Sequence, residues 1–254
     1  MFRLKPITSF HFDIFRTQFG IYSAILVGLL LGDYSLGPVF GNWIYLSSII
    51  GVISALSWSL NIHRKLAALV YLFCLATIVE GNPSALRIIP GYVGWIFFIS
   101  LFIASSEGCF LRSKPADSSW QINSEIHATL IITLAFSFTF SGITKLFSSL
   151  WLNGNAIDAF FFNARFNWDL IGNSLITHFT KVFMNYFTLI IELLFFPLYL
   201  IPKLRSYAWY LLFILFVGML VFMRIYIVSL GILSTLVLLY QPIFLNKKPG
   251  DSIL

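Results

Sequence analysis

Two charged residues, Lys145 and Glu192, lie in stretches that otherwise have the composition of membrane helices. Lys145 ends a long apolar segment, and Glu192 has four uncharged, mostly apolar residues on each side. A charge near hydrocarbon costs roughly 2.5–3.5 kcal/mol on insertion scales, so one that is kept usually has a partner or a task. A neutral lysine amine is a general base, and a neighbouring carboxylate can fix its protonation state. The two residue types together are therefore candidates for acid–base chemistry at a membrane.

Each of these residues also has a structural interpretation. Lys145 at a helix end can carry its ammonium to the membrane interface on its long stem. Glu192 can be a structural carboxylate that is paired with Lys145, Arg224 or Arg16, or that is protonated and bonded to a helix neighbour. Because losing one member of a buried ion pair typically costs about 3–5 kcal/mol, such pairs hold helix bundles in register. The residues alone leave both interpretations open.

The composition predicts an all-α, polytopic membrane bundle. Of the 254 residues, 59% are hydrophobic and 10% are charged, whereas a soluble domain carries about 25% charged residues. The shortfall extends along the whole chain, so we expect the lipid bilayer to be the main partner and no sizeable soluble domain to be present. The basic residues behind the net charge of +6 are scattered between the apolar segments. We therefore attribute them to membrane orientation and anionic lipid headgroups, and not to nucleic acid.

Eight stretches have the length and composition of membrane-spanning helices, at about 20 residues for a span and fewer where neighbours shield it. The last two form one apolar run broken by Arg224, which we interpret as a tight hairpin. The third stretch is short, and its ends are expected to lie several residues further out. The predicted spans are residues 14–31, 39–60, 66–79, 89–105, 126–147, 182–201, 207–223 and 225–244.

The basic residues orient these spans. With the N-terminus in the cytoplasm, most of the 16 lysines and arginines fall on the inner side, which favours an even number of spans and cytoplasmic termini. Lys145 then lies at the outer end of the fifth span, and segment 148–181 is predicted to lie along the outer interface. We expect a multi-pass integral protein of a bacterial cytoplasmic membrane. The inner basic residues are Arg3, Lys5, Arg16, Arg64, Lys65, Arg112, Lys114, Lys203, Arg205, Lys247 and Lys248.

Three stretches of the chain together resemble a known family. They are FDIFRTQFG at 12–20, SGITKL at 141–146 with WLNG at 151–154, and IELLFFP at 191–197 running into IPKLR at 201–205. Their order and spacing are similar to the HTTM domain, the membrane part of the vitamin K-dependent gamma-carboxylase family. The resemblance covers residues 10–244 and leaves 245–254 as a cytoplasmic tail.

The resemblance implies a function for Lys145. In the carboxylases the membrane domain binds a reduced quinone and oxygen near its lumenal side, and a lysine of the matching motif deprotonates the hydroquinone. By motif position Lys145 is the counterpart of that lysine, and Glu192 is the second candidate catalytic residue. A low-dielectric surrounding favours the neutral amine that a base requires. The implied cofactor is a reduced quinone, and the implied partner is a secreted peptide or protein.

The chain also departs from the family pattern. Carboxylase relatives have a histidine early in the fourth span and another near the position of residues 216–218, and this sequence has neither. It also carries no counterpart of their large extracytoplasmic domain. We therefore do not expect complete carboxylase activity.

Two functional hypotheses follow from these observations. One is a quinone- or lipid-linked enzyme with Lys145 as an extracytoplasmic-side base. The other is a non-enzymatic membrane factor for the maturation, export or immunity of a secreted peptide. A transporter is disfavoured because no pair of helices broken by glycine or proline recurs in two matching halves. No metal site is expected, because no pair of histidines has ligand spacing.

Overall fold

A computed structural model of the chain describes residues 7–32, 38–81, 88–104, 109, 120–157, 159, 178–222 and 226–239. Over these residues the secondary structure is helical and contains no strand, and Thr8 and Gln121 form an isolated β-bridge. The predicted all-α fold class is therefore confirmed for the described part of the chain. The predicted hairpin at Arg224, the tail 245–254 and most of segment 148–181 lie outside the described residues.

Within the described residues, eight helices of 13 to 24 residues overlap the eight predicted spans. The third of them extends beyond the predicted residues 66–79 at both ends, as expected. One further, four-residue helix follows the fifth. The helices are α1 Ser9–Gly32, α2 Pro38–Ser59, α3 Arg64–Gly81, α4 Ile88–Ser100, α5 Ser124–Leu146, α6 Ser149–Leu152, α7 His178–Leu200, α8 Arg205–Phe222 and α9 Tyr226–Leu239.

Apolar side chains cover much of the exposed helix surface. Within the described residues, two helices are long and apolar enough to cross a membrane by length and composition: α5 and the Lys181–Leu200 part of α7. Large apolar side chains on other helices are also exposed, among them Trp43 of α2 (69%), Phe73 of α3 (76%) and Ile214 of α8 (59%). A helix that faces water normally presents polar residues on that side. Exposed apolar surface of this extent indicates contact with lipid or with another protein.

The chain divides into two compact units. The first unit comprises Pro6–Leu130 and Leu230–Leu238. Its helices α1, α2, α3 and α4 pack in chain order, and large aromatic side chains fill the space between them. The rings of Tyr71 and Phe97 stack with their centroids 4.1 Å apart. The other members of this cluster are Phe12, Phe15, Phe19 and Trp58, all with less than 3% of their surface exposed.

Buried arginines in the first unit bind local acceptors. The guanidinium of Arg64, at the start of α3, donates to the carbonyl oxygen of Ser100 (3.0 Å), the last residue of α4, and to those of Ile103 (2.6 Å) and Ala104 (3.0 Å) just after it. A cation is favourable there because the last carbonyls of a helix have no intrahelical partner and carry partial negative charge. Arg16 of α1 is fully buried and forms an ion pair with Asp13, one turn earlier on the same helix.

The second unit comprises Met1–Lys5, Ile131–Ser229 and Leu239–Leu254. Helices α7 and α8 pack together in this unit, and α6 packs on α7. Arg205 Nε donates to the Tyr199 carbonyl at 3.0 Å, and the Tyr199 hydroxyl donates to the Leu239 carbonyl at 2.8 Å. The first bond fixes the connection between α7 and α8, and the second joins α7 to the last residue of α9. The candidate site lies in this unit, where α5 and α6 meet α7.

Candidate functional site

Lys145 and Glu192 form an ion pair between α5 and α7. Lys145 is in the last turn of α5, and its Nζ atom pairs with the carboxylate oxygen Oε2 of Glu192 near the middle of α7. The same Nζ donates to Ser141 Oγ at 3.1 Å. It also lies 5.0 Å from the centroid of the Trp151 ring, within the range of a cation–π contact. Lys145 thus contacts one residue on each of the helices α5, α6 and α7.

Burial differs between the two charged groups. The Glu192 side chain is 5% exposed, whereas the Lys145 side chain is 19% exposed. Of the partners considered for Glu192, Lys145 is the one that pairs with it in the described part of the chain, and Arg224 lies outside the described residues. Glu192 is therefore a buried carboxylate neutralised by one lysine, and that lysine reaches it from nearer the protein surface.

A glycine allows α5 and α7 to cross closely beside this pair. A Cβ atom added to Gly142 would lie 2.7 Å from the backbone nitrogen of Leu193 and 3.1 Å from the carbonyl carbon of Glu192. Real Cβ atoms do not approach backbone that closely, so only glycine fits here. The sequence predicts Gly142 and Gly154 as positions of close helix packing or turns. Gly142 allows the close packing of α5 on α7. Gly154, with φ of +76°, lies in a turn.

Thr139 forms hydrogen bonds with backbone groups of α7 next to Glu192. Pro197 has no N–H group, so it cannot satisfy the Leu193 carbonyl four residues earlier. The hydroxyl of Thr139 lies 3.0 Å from the Glu192 carbonyl and 3.3 Å from the Leu193 carbonyl, and it accepts the Phe196 N–H at 3.0 Å. Threonine hydroxyls on neighbouring helices commonly satisfy the groups that a proline frees in apolar surroundings. Thr139 therefore fixes the segment of α7 that carries Glu192.

We expect Thr139→Val to lower the free energy of unfolding by about 1–3 kcal/mol, the cost of leaving buried backbone groups unpaired. Valine keeps the shape and removes the hydroxyl. Adding Pro197→Ala supplies an N–H that can bond the Leu193 carbonyl, so the double variant should recover most of the loss. Thermal unfolding of the four proteins in detergent gives the coupling energy of this cycle. Additive effects of the two substitutions would contradict this role of Thr139.

Two hydrogen bonds hold α6 against α7. The Asn185 side-chain Nδ2 donates to the Trp151 carbonyl at 2.8 Å, and the Tyr186 hydroxyl donates to the Leu152 carbonyl at 2.7 Å. Both acceptors belong to α6, and both donors belong to α7. The turn that carries Trp151 is thus fixed, and with it the position of the indole ring beside Lys145.

The side-chain oxygen of Asn185, Oδ1, is also buried, but it takes no part in the bond to the Trp151 carbonyl. The residue is fully buried, and its Oδ1 atom has no hydrogen-bond partner in the described part of the chain. Asn185 precedes Glu192 by seven residues, which is two helical turns, so both lie on the same side of α7. We did not single out Asn185 from the sequence, although a lone asparagine at this spacing within an apolar stretch is a usable signal.

The site combines an ammonium–carboxylate pair and an indole ring in largely apolar surroundings. Such a set can contact a flat apolar molecule through the indole and a hydrogen-bonding group through Nζ. Within the described ranges, no group of three or more histidine, cysteine, aspartate or glutamate side chains is placed to hold a metal ion. Comparison with protein-family models, with curated proteins and with solved structures gives no match for this chain.

Proposed function

We propose that this chain is a multi-pass membrane protein of the HTTM type, with a quinone- or lipid-linked activity in which Lys145 is the base on the extracytoplasmic side. The observation that carries the proposal is the ion pair of Lys145 with the buried Glu192, beside the indole of Trp151. A charged pair of this kind in an apolar bundle is by default a candidate functional site.

The proposed arrangement is an eight-span bundle with both termini in the cytoplasm. The overlap between the predicted spans and eight helices of the described residues supports it, as do the exposed apolar side chains on α2, α3 and α8. The distribution of lysine and arginine supports the orientation. In that orientation the end of α5, with Lys145, lies near the extracytoplasmic face, where a lipid-soluble ligand can approach from the bilayer.

Glu192 gives Lys145 a route to the neutral state that a base needs. Transfer of one proton from the Lys145 ammonium to the Glu192 carboxylate makes both groups neutral and leaves a lone pair on Nζ. Lys145 Nζ can then take a proton from an acidic hydroxyl, while Glu192 holds the first proton at Oε2.

A reduced quinone is the ligand that we propose for the site. When bound, it supplies an acidic hydroxyl on a flat apolar ring. The indole of Trp151 offers a surface for such a ring, and Lys145 Nζ is close enough to that indole to meet the hydroxyl beside it. Trp151 would orient the ring, and the apolar helices would keep water away from the pair.

The lipids that remain with the purified protein test this proposal. We expect mass spectrometry of a lipid extract to detect an isoprenoid quinone with the wild-type protein and to find at least about tenfold less with Lys145→Met/Glu192→Leu. The double substitution removes the charges together, which is often tolerated by a folded protein. Gly218→Ala in α8 is the control, because a Cβ there meets nothing within 4 Å. Absence of quinone from the wild-type extract would reject the quinone-linked activity.

One observation favours the alternative, a non-enzymatic membrane factor for a secreted peptide. Lys145 is engaged by Glu192, Ser141 and Trp151 at the same time, as a residue that holds α5, α6 and α7 together would be. In that case the double variant, if folded, should still support the maturation, export or immunity function in the host. An adjoining reading frame for a secreted peptide identifies the function to assay.

A further inference from the structure

We propose that a groove between α7 and α8 binds an anionic phospholipid, with one acyl chain along the groove and the phosphate beside Lys203. The groove lies between residues 190–198 of α7 and 208–211 of α8, and it encloses a cavity of about 50 Å³. Its lining includes neither Lys145 nor Glu192. The phospholipid is therefore a second ligand, and its binding does not depend on the function proposed for that pair.

The described residues that line the groove are all apolar, with a buried floor and an exposed rim. The floor side chains are at most 6% exposed, and they are Ile191, Phe195 and Ala208. The rim side chains are exposed, and they are Ile190, Leu194 and Leu211. An apolar cavity offers water no hydrogen-bond partners and stays dry. An occupant must therefore be apolar, and it must enter past the rim from outside the two helices.

The groove follows a helix that can lie against lipid. It is within the Lys181–Leu200 part of α7, which is long and apolar enough to cross a membrane. From Ile190 to Leu198 the groove extends about 12 Å along α7, at a rise of about 1.5 Å per residue. In a bilayer the apolar molecules around such a helix are acyl chains. A narrow apolar groove of this length therefore fits part of one acyl chain.

A lysine and a tyrosine lie at one end of the groove. Residues 201–204 connect α7 to α8, and the groove ends next to this connection, at Leu198 and Ala208. Lys203 lies in the connection, and its side chain is exposed. Tyr207, in the first turn of α8, is exposed as well, and tyrosine is enriched at membrane–water interfaces. The groove thus runs from an interfacial end into the apolar part of α7.

Lys203 gives the interfacial end of the groove a preference for negative charge. An ammonium on a long flexible stem binds phosphate as a point charge. The sequence has no aspartate or glutamate between Glu192 and Asp251, so no carboxylate of α8 or of the connection competes with a phosphate for Lys203. In the proposed orientation this end faces the cytoplasm, where anionic lipids attract basic segments. A phosphate at Lys203 and an acyl chain in the groove are two parts of one anionic phospholipid.

Native mass spectrometry of the delipidated full-length protein in detergent tests this site. The probe is dioleoylphosphatidylglycerol, and dioleoylphosphatidylcholine supplies the same acyl chains without net charge. The dissociation constant of the first bound lipid is measured for each. We expect the wild-type protein to bind phosphatidylglycerol at least about fivefold more tightly, the effect of roughly one lysine near an anionic lipid.

Two substitutions separate the headgroup from the acyl chain. Lys203→Gln should weaken phosphatidylglycerol binding about fivefold and leave phosphatidylcholine binding unchanged, because it removes only the charge. Ala208→Leu should weaken the binding of both lipids about tenfold, because the longer side chain fills the cavity and displaces roughly two methylene groups of the acyl chain.

Each of these substitutions has a matched control. Lys65→Gln removes another exposed lysine, in the first turn of α3. Gly218→Ala adds a methyl group elsewhere on α8, where a Cβ meets nothing within 4 Å. Both controls should keep the wild-type dissociation constants for the two lipids.

The possible results decide the proposal without involving the Lys145–Glu192 pair. Equal binding of the two lipids by the wild-type protein, or wild-type binding by Ala208→Leu, overturns the phospholipid site. Equal losses in Lys203→Gln and Lys65→Gln would show a general attraction by surface charge and would overturn it as well. The two lysine variants change exposed side chains, so they give an answer even if Ala208→Leu does not fold.

Discussion

Replacement of Lys145 by methionine is expected to lower the free energy of unfolding by about 3–5 kcal/mol, because it leaves the carboxylate of Glu192 buried without a partner. Substitution of the other member of the pair, Glu192→Gln, should lower the free energy of unfolding by less. The Lys145 side chain is 19% exposed, against 5% for Glu192, so an unpaired ammonium can move toward water or lipid headgroups. It also keeps its contacts with Ser141 and Trp151. Thermal unfolding of each variant in the same detergent measures the difference.

The double variant Lys145→Met/Glu192→Leu is the control for this prediction. Both charges are absent, so no uncompensated group remains, and most of the lost stability should return. The difference between the double variant and the sum of the single variants gives the coupling energy of the pair. If Lys145→Met leaves the unfolding temperature unchanged, Glu192 does not depend on Lys145 and the pair is not a structural connection between α5 and α7.

Gly142→Ala is expected to destabilise the protein by about 2–3 kcal/mol, toward the upper end of what overpacking costs. The added methyl group would meet the backbone of α7 at 2.7 Å from the Leu193 nitrogen, and backbone cannot move aside as a flexible side chain can. The two helices must separate, which also weakens the contacts of Thr139 and Lys145 with α7. Thermal unfolding in detergent gives the stability.

The matched control is Gly218→Ala, in α8 of the same unit. A Cβ at that position meets nothing within 4 Å, so the substitution should gain roughly 0.5–1 kcal/mol from the higher helix propensity of alanine. Opposite signs for the two substitutions separate the packing effect from the general effect of removing a glycine. Stabilisation by Gly142→Ala would show that α5 and α7 do not cross as closely as described.

The positions of the helices could be predicted from the sequence because the signal is local. A run of apolar residues long enough for a span is visible in the chain itself, and its ends are marked by polar residues, glycine or proline. The helix Arg64–Gly81 illustrates this: the apolar run 66–79 locates it to within two residues at each end. The number of spans and their orientation depend on the membrane as well, and they stay a proposal.

For the candidate site, the sequence by itself determined which residues are unusual, and the tertiary structure decided which of them meet. The cost of burying a charge depends on residue type and surroundings, so Lys145 and Glu192 stand out in an apolar chain without any structure. Their partners depend on how helices pack. Lys145 and Glu192 are 47 residues apart, and three cations were equally open as partners of Glu192 until the packing of α5 on α7 was known.

The same reason explains the residues that sequence reasoning missed. Thr139 is an ordinary polar residue in an apolar helix, and the seven-residue spacing of Asn185 from Glu192 shows a shared side of α7 but not what Asn185 contacts. Thr139 acquires its role only because Gly142 brings α5 against the segment of α7 that Pro197 disrupts. Asn185 acquires its role only because α6 folds back onto α7 and takes one end of the amide. Composition determines that the chain forms apolar helices, and their close approach in space determines which polar groups form a site.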